Sequence, residues 1–169
     1  PQAWMAGSSG SVSGFLHPEG VYDDPNGGLF RSAIYPRLKA HYQFQNEFKL
    51  FVGTNDHGRL RFSLNIYQNS KQGLIGFKHI SNLYIPQTID ACYQHNGTCE
   101  VGGIKNNEGK WNTIGHKNRI IKINHDTLQL FSKLYDVQGT SALQARLPAL
   151  HASQLVSVLE KFSIQPQRL

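Results

Sequence analysis

From Tyr42 onward apolar and polar residues alternate. Tyr42, Phe44, Phe48, Leu50 and Val52 share one face of an extended segment, with mostly Gln, Lys and Glu opposite. A period of two predicts a strand buried on one side. Thr54-Asn55-Asp56-His57-Gly58 supplies turn residues, and Leu60, Phe62, Leu64 and Ile66 then alternate against Arg59, Arg61, Ser63 and Asn65. The two runs predict a hairpin. A turn over 68–73 leads to a third strand over 74–80. Segments 101–105 and 110–114 flank Asn106-Asn107-Glu108-Gly109 and predict another hairpin, with a further strand over 119–123. The period then becomes helical. Asp126 is the expected N-cap of a helix carrying Leu128, Phe131, Leu134 and Tyr135 and stopping at Gly139. Segments 140–146 and 149–162 are further helical candidates, and 31–40 a short helix interrupted by Pro36. The expected fold class is α+β: an antiparallel β-meander with hairpins, and C-terminal helices packed on one face.

The first residues lack this periodicity. Gly7-Ser8-Ser9-Gly10-Ser11 marks 1–14 as a flexible lead, and 15–30, rich in Gly, Pro and Asp, reads as loop. The expected organisation is a lead over 1–14 and one domain over 15–169. A chain of 169 residues suffices for one core. Aromatic residues at 11% exclude a disordered chain. No apolar run approaches the ~18 residues of a membrane span. The N-terminus has neither the basic nor the apolar segment of a signal peptide. With no initiator Met, the chain reads as a piece of a longer, exported protein, acting in a target cytoplasm.

Charge narrows the partners. The net charge is +6, yet residues 1–30 contain Glu19, Asp23 and Asp24 and no Lys or Arg, so the body is more basic than the whole. A basic body suits RNA or an acidic inhibitor of the immunity type. The segment with Lys105, Lys110, Lys117, Arg119 and Lys122 holds one acid, Glu108, and Trp111 is available to stack on a base. Lys110, Trp111, Lys117, Arg119 and Lys122 are therefore the candidate nucleic-acid contacts. The alternative is a solvated hairpin whose Trp covers the core.

Motifs of nucleophile elbows, zinc proteases, zinc knuckles and dinucleotide folds are absent, and neither metal nor cofactor is expected. Gly103-Ile104-Lys105-Asn106-Asn107-Glu108-Gly109-Lys110-Trp111 falls short of a phosphate loop: one residue too many separates the glycines, and Trp111 stands where a hydroxyl would hold magnesium. Cys92 and Cys99 flank an Asn96-Gly97 turn, so a disulfide is expected. Such a short loop would stabilise by about 2.5 kcal/mol. Asn96-Gly97-Thr98 is also a glycosylation sequon. Cys92 as a nucleophile beside His95 or His116 is the weaker alternative.

Eight histidines give proton-transfer groups in neutral water. Metal-free RNA cleavage needs a base at the 2′-hydroxyl, an acid at the 5′-oxygen and a cation near the phosphorane. His41 and His57 flank a strand of about ten residues, which holds them about 30 Å apart. In an up-down-up meander, His57 and His79 would share a sheet edge within roughly 15 Å. His17, in a glycine-rich stretch, could reach that edge, while His151 would be silent.

His17, followed by Val21-Tyr22 and Gly27-Gly28-Leu29, resembles the first-histidine segment of EndoU-type endoribonucleases, a family that includes secreted bacterial toxin domains. The resemblance covers about fifteen residues, and Phe30 stands where the family places a second histidine. It implies two histidines and a lysine on antiparallel sheets, with the second histidine supplied by His57 or His79 and the lysine by Lys105. The expected function is a metal-independent endoribonuclease, leaving a 2′,3′-cyclic phosphate, with catalytic residues His17, His57, His79 and Lys105. The alternative is a non-catalytic secreted binding module.

Overall fold

The computed structural model describes residues 2–51 and 60–165. The elements run α1 (Gln2–Ala6), β1 (Val12–Pro18), α2 (Gly20–Asp23), α3 (Gly28–Ile34), β2 (Leu38–Gln45), β3 (Arg61–Gln68), β4 (Gly76–Leu83), α4 (Gln87–Gln94), β5 (Ile121–Asn124), α5 (His125–Tyr135) and α6 (Gln154–Ser163). The fold is α+β, with five strands in the order β1-β3-β2-β4-β5. The predicted turn cluster, His57 included, lies outside the described residues.

The strand order corrects the expected meander. β2 and β3 pair antiparallel, but β4 returns to the other side of β2 and runs parallel to it. The β3–β4 connection therefore crosses the start of β2. Gln72 holds it there, its backbone N–H donating to Pro36 O and its side-chain amide to Leu38 O. β1 is an unpredicted strand, antiparallel to β3 over its whole length. Its Gly and Ser conceal the alternation, because a sheet edge needs apolar residues on one face only.

Both faces of the sheet are covered. On the first face, Leu38, Tyr67, Phe77, Ile121 and Ile123 pack with Tyr22, Ile34 and Tyr35 and with Leu128 and Phe131 of α5. Segment 142–150 lies over this core, pinned by Leu147 N–H donating to Tyr22 O and Tyr35 Oη–H to Ala145 O. On the second face, Phe44, Phe62, Ile80 and Leu83 pack with Cys92 of α4. α4, which the sequence did not predict, opens directly after Ile85-Pro86. Proline fits a helix start because it has no N–H to satisfy there. Gly115 crosses this helix so closely that a Cβ would lie 2.4 Å from Ala91.

Other boundaries shift for physical reasons. The helix expected over 31–40 ends at Ile34, and β2 starts beyond Pro36. Asn124, not Asp126, caps α5, its Oδ1 accepting the Thr127 N–H. The hairpin expected after the cysteines shrinks to one bridge, Lys105 to Trp111. Among the described residues no helix is long and apolar enough to cross a membrane.

Candidate functional site

The first face carries a polar stripe through its core. Strand register sets His17 beside Ser63 and Ser63 beside Gln43, then Asn65 beside His41 and His41 beside His79. Ser63, Asn65, His41, Gln43, His79 and Ser81 are all buried. Buried polar groups need partners: Asn65 donates to Ser63 Oγ, Gln43 Oε1 accepts the Asn82 N–H, and Ser81 Oγ–H donates to Leu150 O. His41 Nδ1 and His79 Nδ1 lie 2.8 Å apart, so one ring donates and the other accepts. Burial, then the neighbouring His41, pushes His79 well below the usual imidazole range, leaving it neutral. Glu19 Oε1 stands 3.1 Å from His41 Nε2, with both side chains buried.

The stripe opens at one end. His17 Nε2 lies 3.1 Å from Tyr67 Oη, which is 3.2 Å from Tyr22 Oη. Tyr22 Oη–H donates to Asn65 Oδ1 at 2.6 Å, and Asn65 Nδ2–H to Ser63 Oγ at 2.9 Å. Burial raises Tyr67 to about 12 and Tyr22 well above the usual phenol value, so both remain donors. His17 is half-buried and faces a cavity of about 870 Å³ shared with Trp4, Phe15, Phe30, Ile34 and Tyr67.

A second concavity, of about 530 Å³, is basic. Lys78 of β4, Lys122 of β5 and Lys117 line it, with Tyr93 of α4 and Asn118. Lys78 Nζ lies 4.7 Å from the centre of the Tyr93 ring, a cation–π contact. None of the three lysines pairs with a described carboxylate, and all three are exposed. On β4, Lys78 alternates with Phe77 and His79, and Tyr93 follows Cys92 of the second core. Lys78 and Lys122 therefore point away from the face that carries the His17 cavity, and the groove lies at the β4–β5 edge, where Ser153 and Val156 complete its wall.

The residues expected at the site are thus dispersed. His79 is fully enclosed, and no substrate reaches it in this conformation. It stands three strands from His17, about 14 Å across the sheet. Lys105 belongs to a third region, where its Nζ lies 4.3 Å from the Trp111 ring centre. Trp111 also stacks on Tyr84 at 4.8 Å, so its expected role as a base-stacking platform gives way to contacts within the chain. Lys110 pairs with Glu108 at 2.9 Å. Arg119 is buried and donates to the carbonyls of Ile114, Ser81 and Asn82. It is a structural cation and not an RNA contact. Of the five expected RNA-contact residues, Lys117 and Lys122 share the groove.

The expected disulfide is replaced by two separate thiols. Cys92 turns into the second core, and Cys99 is exposed. Burial pushes the Cys92 thiol up, which disfavours the nucleophilic thiolate. His116 is committed as well, with Nδ1 accepting the Asn118 N–H and Nε2 facing the carbonyls of Thr98 and Cys99. His151 faces Gly102 O at 3.0 Å.

Sequence reading missed His41, Glu19 and Lys78. A signal existed for the first: His41, Gln43, Ser63 and Asn65 alternate as regularly as their apolar neighbours, and they face a second layer, not water. No family model, no curated protein and no solved structure matches this chain. The EndoU resemblance thus rests on its fifteen residues alone.

Proposed function

We propose that this protein binds single-stranded RNA along the groove formed by Lys78, Lys117, Lys122 and Tyr93. The observation that carries this reading is the convergence of three exposed lysines without described carboxylate partners on one concave surface with an aromatic ring. Phosphates are attracted to such a groove, and bases stack on an aromatic platform whatever their sequence. An acidic inhibitor protein would compete for the same charges.

The test is fluorescence anisotropy with a labelled single-stranded RNA over a salt series. The triple variant K78A/K117A/K122A is expected to bind at least tenfold more weakly at low salt. Its salt slope should flatten by about 2, since each phosphate contact to a single strand contributes about 0.7. Wild-type affinity that does not respond to salt would overturn the reading.

Endoribonuclease activity is the second reading, and His95 favours it. Its Nδ1 accepts the Gly97 N–H at 2.9 Å, which places the neutral ring's proton on Nε2. Gly97 also lies against the Lys117 side chain of the groove. Total RNA incubated with the protein in EDTA distinguishes the readings: cleavage that H95A abolishes while binding persists supports the enzyme, and intact RNA supports the binding module.

A further inference from the structure

An asparagine followed by glycine exposes its side-chain amide to attack by the next backbone nitrogen, because glycine has no Cβ to shield that nitrogen. The chain has two such pairs, Asn26-Gly27 and Asn96-Gly97. Both asparagines are exposed, yet their surroundings differ.

At the second pair the attacking nitrogen faces a base. Gly97 N–H donates to His95 Nδ1 at 2.9 Å. A backbone N–H only donates, so this ring nitrogen presents a lone pair. His95 is half-buried and lies against the His116 ring, with the ring centres 4.1 Å apart. His116 is held in turn by the Asn118 N–H. The amide oxygen is engaged as well: Asn96 Oδ1 accepts the Thr98 N–H at 3.0 Å and the Thr98 Oγ–H at 2.7 Å. These two donors sit where negative charge develops when the amide carbon is attacked. Gly97 holds a positive φ of 89° in this turn, which glycine adopts without strain. At the first pair, Gly27 N–H donates to the Asp24 carbonyl, which cannot serve as a base, and Gly28 stands where Thr98 supplies its hydroxyl.

We infer that the Asn96-Gly97 turn deamidates itself, with His95 as the base. His95 Nδ1 removes the Gly97 N proton as that nitrogen bonds to Asn96 Cγ. The tetrahedral oxyanion is held by the two Thr98 donors. It collapses by breaking the Cγ–Nδ2 bond, and His95 returns the proton to the departing ammonia. The product is a five-membered cyclic imide, which water opens at either carbonyl to give aspartate or an isoaspartyl linkage, with no change of oxidation state. Both products carry a carboxylate at position 96, beside Gly97, which lies against the Lys117 side chain. The groove thus loses positive charge as the protein ages, and that consequence alone rests on the RNA-binding reading.

The test follows conversion by mass, independently of RNA. The whole chain is kept in neutral buffer, and its proteolytic peptides are analysed by mass spectrometry after chromatography that separates the isoaspartyl form. A positioned base contributes about 100-fold or more to a proton transfer, so Asn96 should convert at least about tenfold faster than Asn26 in the folded chain. In guanidinium chloride the two should convert at similar rates. H95A should slow Asn96 at least about tenfold and leave Asn26 unchanged. A variant that only loosened the turn would speed conversion, so the sign separates chemistry from mobility. Equal rates at Asn26 and Asn96 in the folded chain, no conversion of Asn96, or an H95A rate equal to or above wild type would each overturn the inference.

Discussion

The two faces of the sheet use polar residues in opposite ways. On the first, His41, Gln43, Ser63, Asn65 and His79 are enclosed, His41 bonded to His79, Asn65 to Ser63, and Gln43 Oε1 accepting the Asn82 N–H. On the second, Lys78 and Lys122 keep their charges in water at the margin of an apolar core formed by Phe44, Phe62 and Ile80. Inside, a polar group is held in place by the cost of leaving it unpaired. Outside, the same kind of residue contributes almost nothing to stability and remains available to a ligand. Enclosed polar residues should therefore govern stability, and the groove lysines should govern binding.

The sharpest way to break that contrast is at Arg119, a cation that sequence reading placed outside and the fold places inside. Its guanidinium holds the carbonyls of Ser81 and Asn82 where β4 bulges and Asn82 adopts a positive φ of 55°. R119A removes these donors and leaves a cavity, so a loss of about 3 kcal/mol or more is expected in urea unfolding. K122A, three residues away, should change stability by less than about 0.5 kcal/mol. Equal effects from the two would erase the distinction between the faces.

Acid provides a second test. Burial, then the neighbouring Arg119, lowers His151 to about 4 against an ordinary value near 6.5, and His79 is lowered too. Below 6.5 the unfolded chain takes up protons that the folded chain refuses. Stability should therefore be level above pH 7 and fall as the pH drops from 6.5 towards 4. Each such histidine contributes a slope of up to about 1.4 kcal/mol per pH unit. H151Q keeps a donor for Gly102 O and cannot titrate, so its stability curve should be shallower than wild type over that window. A wild-type curve without slope between pH 6.5 and 4 would show that neither ring is held neutral.

The same contrast explains what the sequence made legible. Strands β3 and β4, the second half of β2 and the helices α5 and α6 were readable because their apolar residues keep period two or 3.6, whereas the start of β2 was read as helix and its strand was extended past Gln45, where the chain turns at Asn46–Phe48. Strand order was not, since alternation marks a face but names no neighbour. The buried stripe was unreadable for a related reason. A polar residue on a strand looks the same whether it meets water or a second layer, and segment 142–150, which encloses it, comes from far along the chain, Leu150 lying 69 residues beyond the Ser81 that bonds to it. The lysine groove was half legible. Lys117 and Lys122 fall in one basic run, whereas Lys78 joins them only because β4 pairs with β5, Lys78 directly opposite Lys122. Opposed like charges disfavour pairing, which makes their adjacency easier to understand as a feature kept for a ligand than as support for the sheet.

The smallest expected effect separates the two faces at the level of single sulfur atoms. Cys92 is enclosed with Phe44, Ile80 and Leu83, while Cys99, seven residues on, is exposed with a positive φ of 68°. A buried, protonated thiol reacts slowly and an exposed one reacts at once. In native buffer, 5,5′-dithiobis(2-nitrobenzoate) should therefore label one thiol per chain, and C99S should remove that signal with less than about 0.5 kcal/mol change in stability. Denaturant should reveal the second thiol, contributed by Cys92. If neither thiol reacts in denaturant without reductant, the two sulfurs are bonded. Cys92 must then leave the second core, and the C-terminal end of α4, which positions Tyr93 at the groove, must be rebuilt with it.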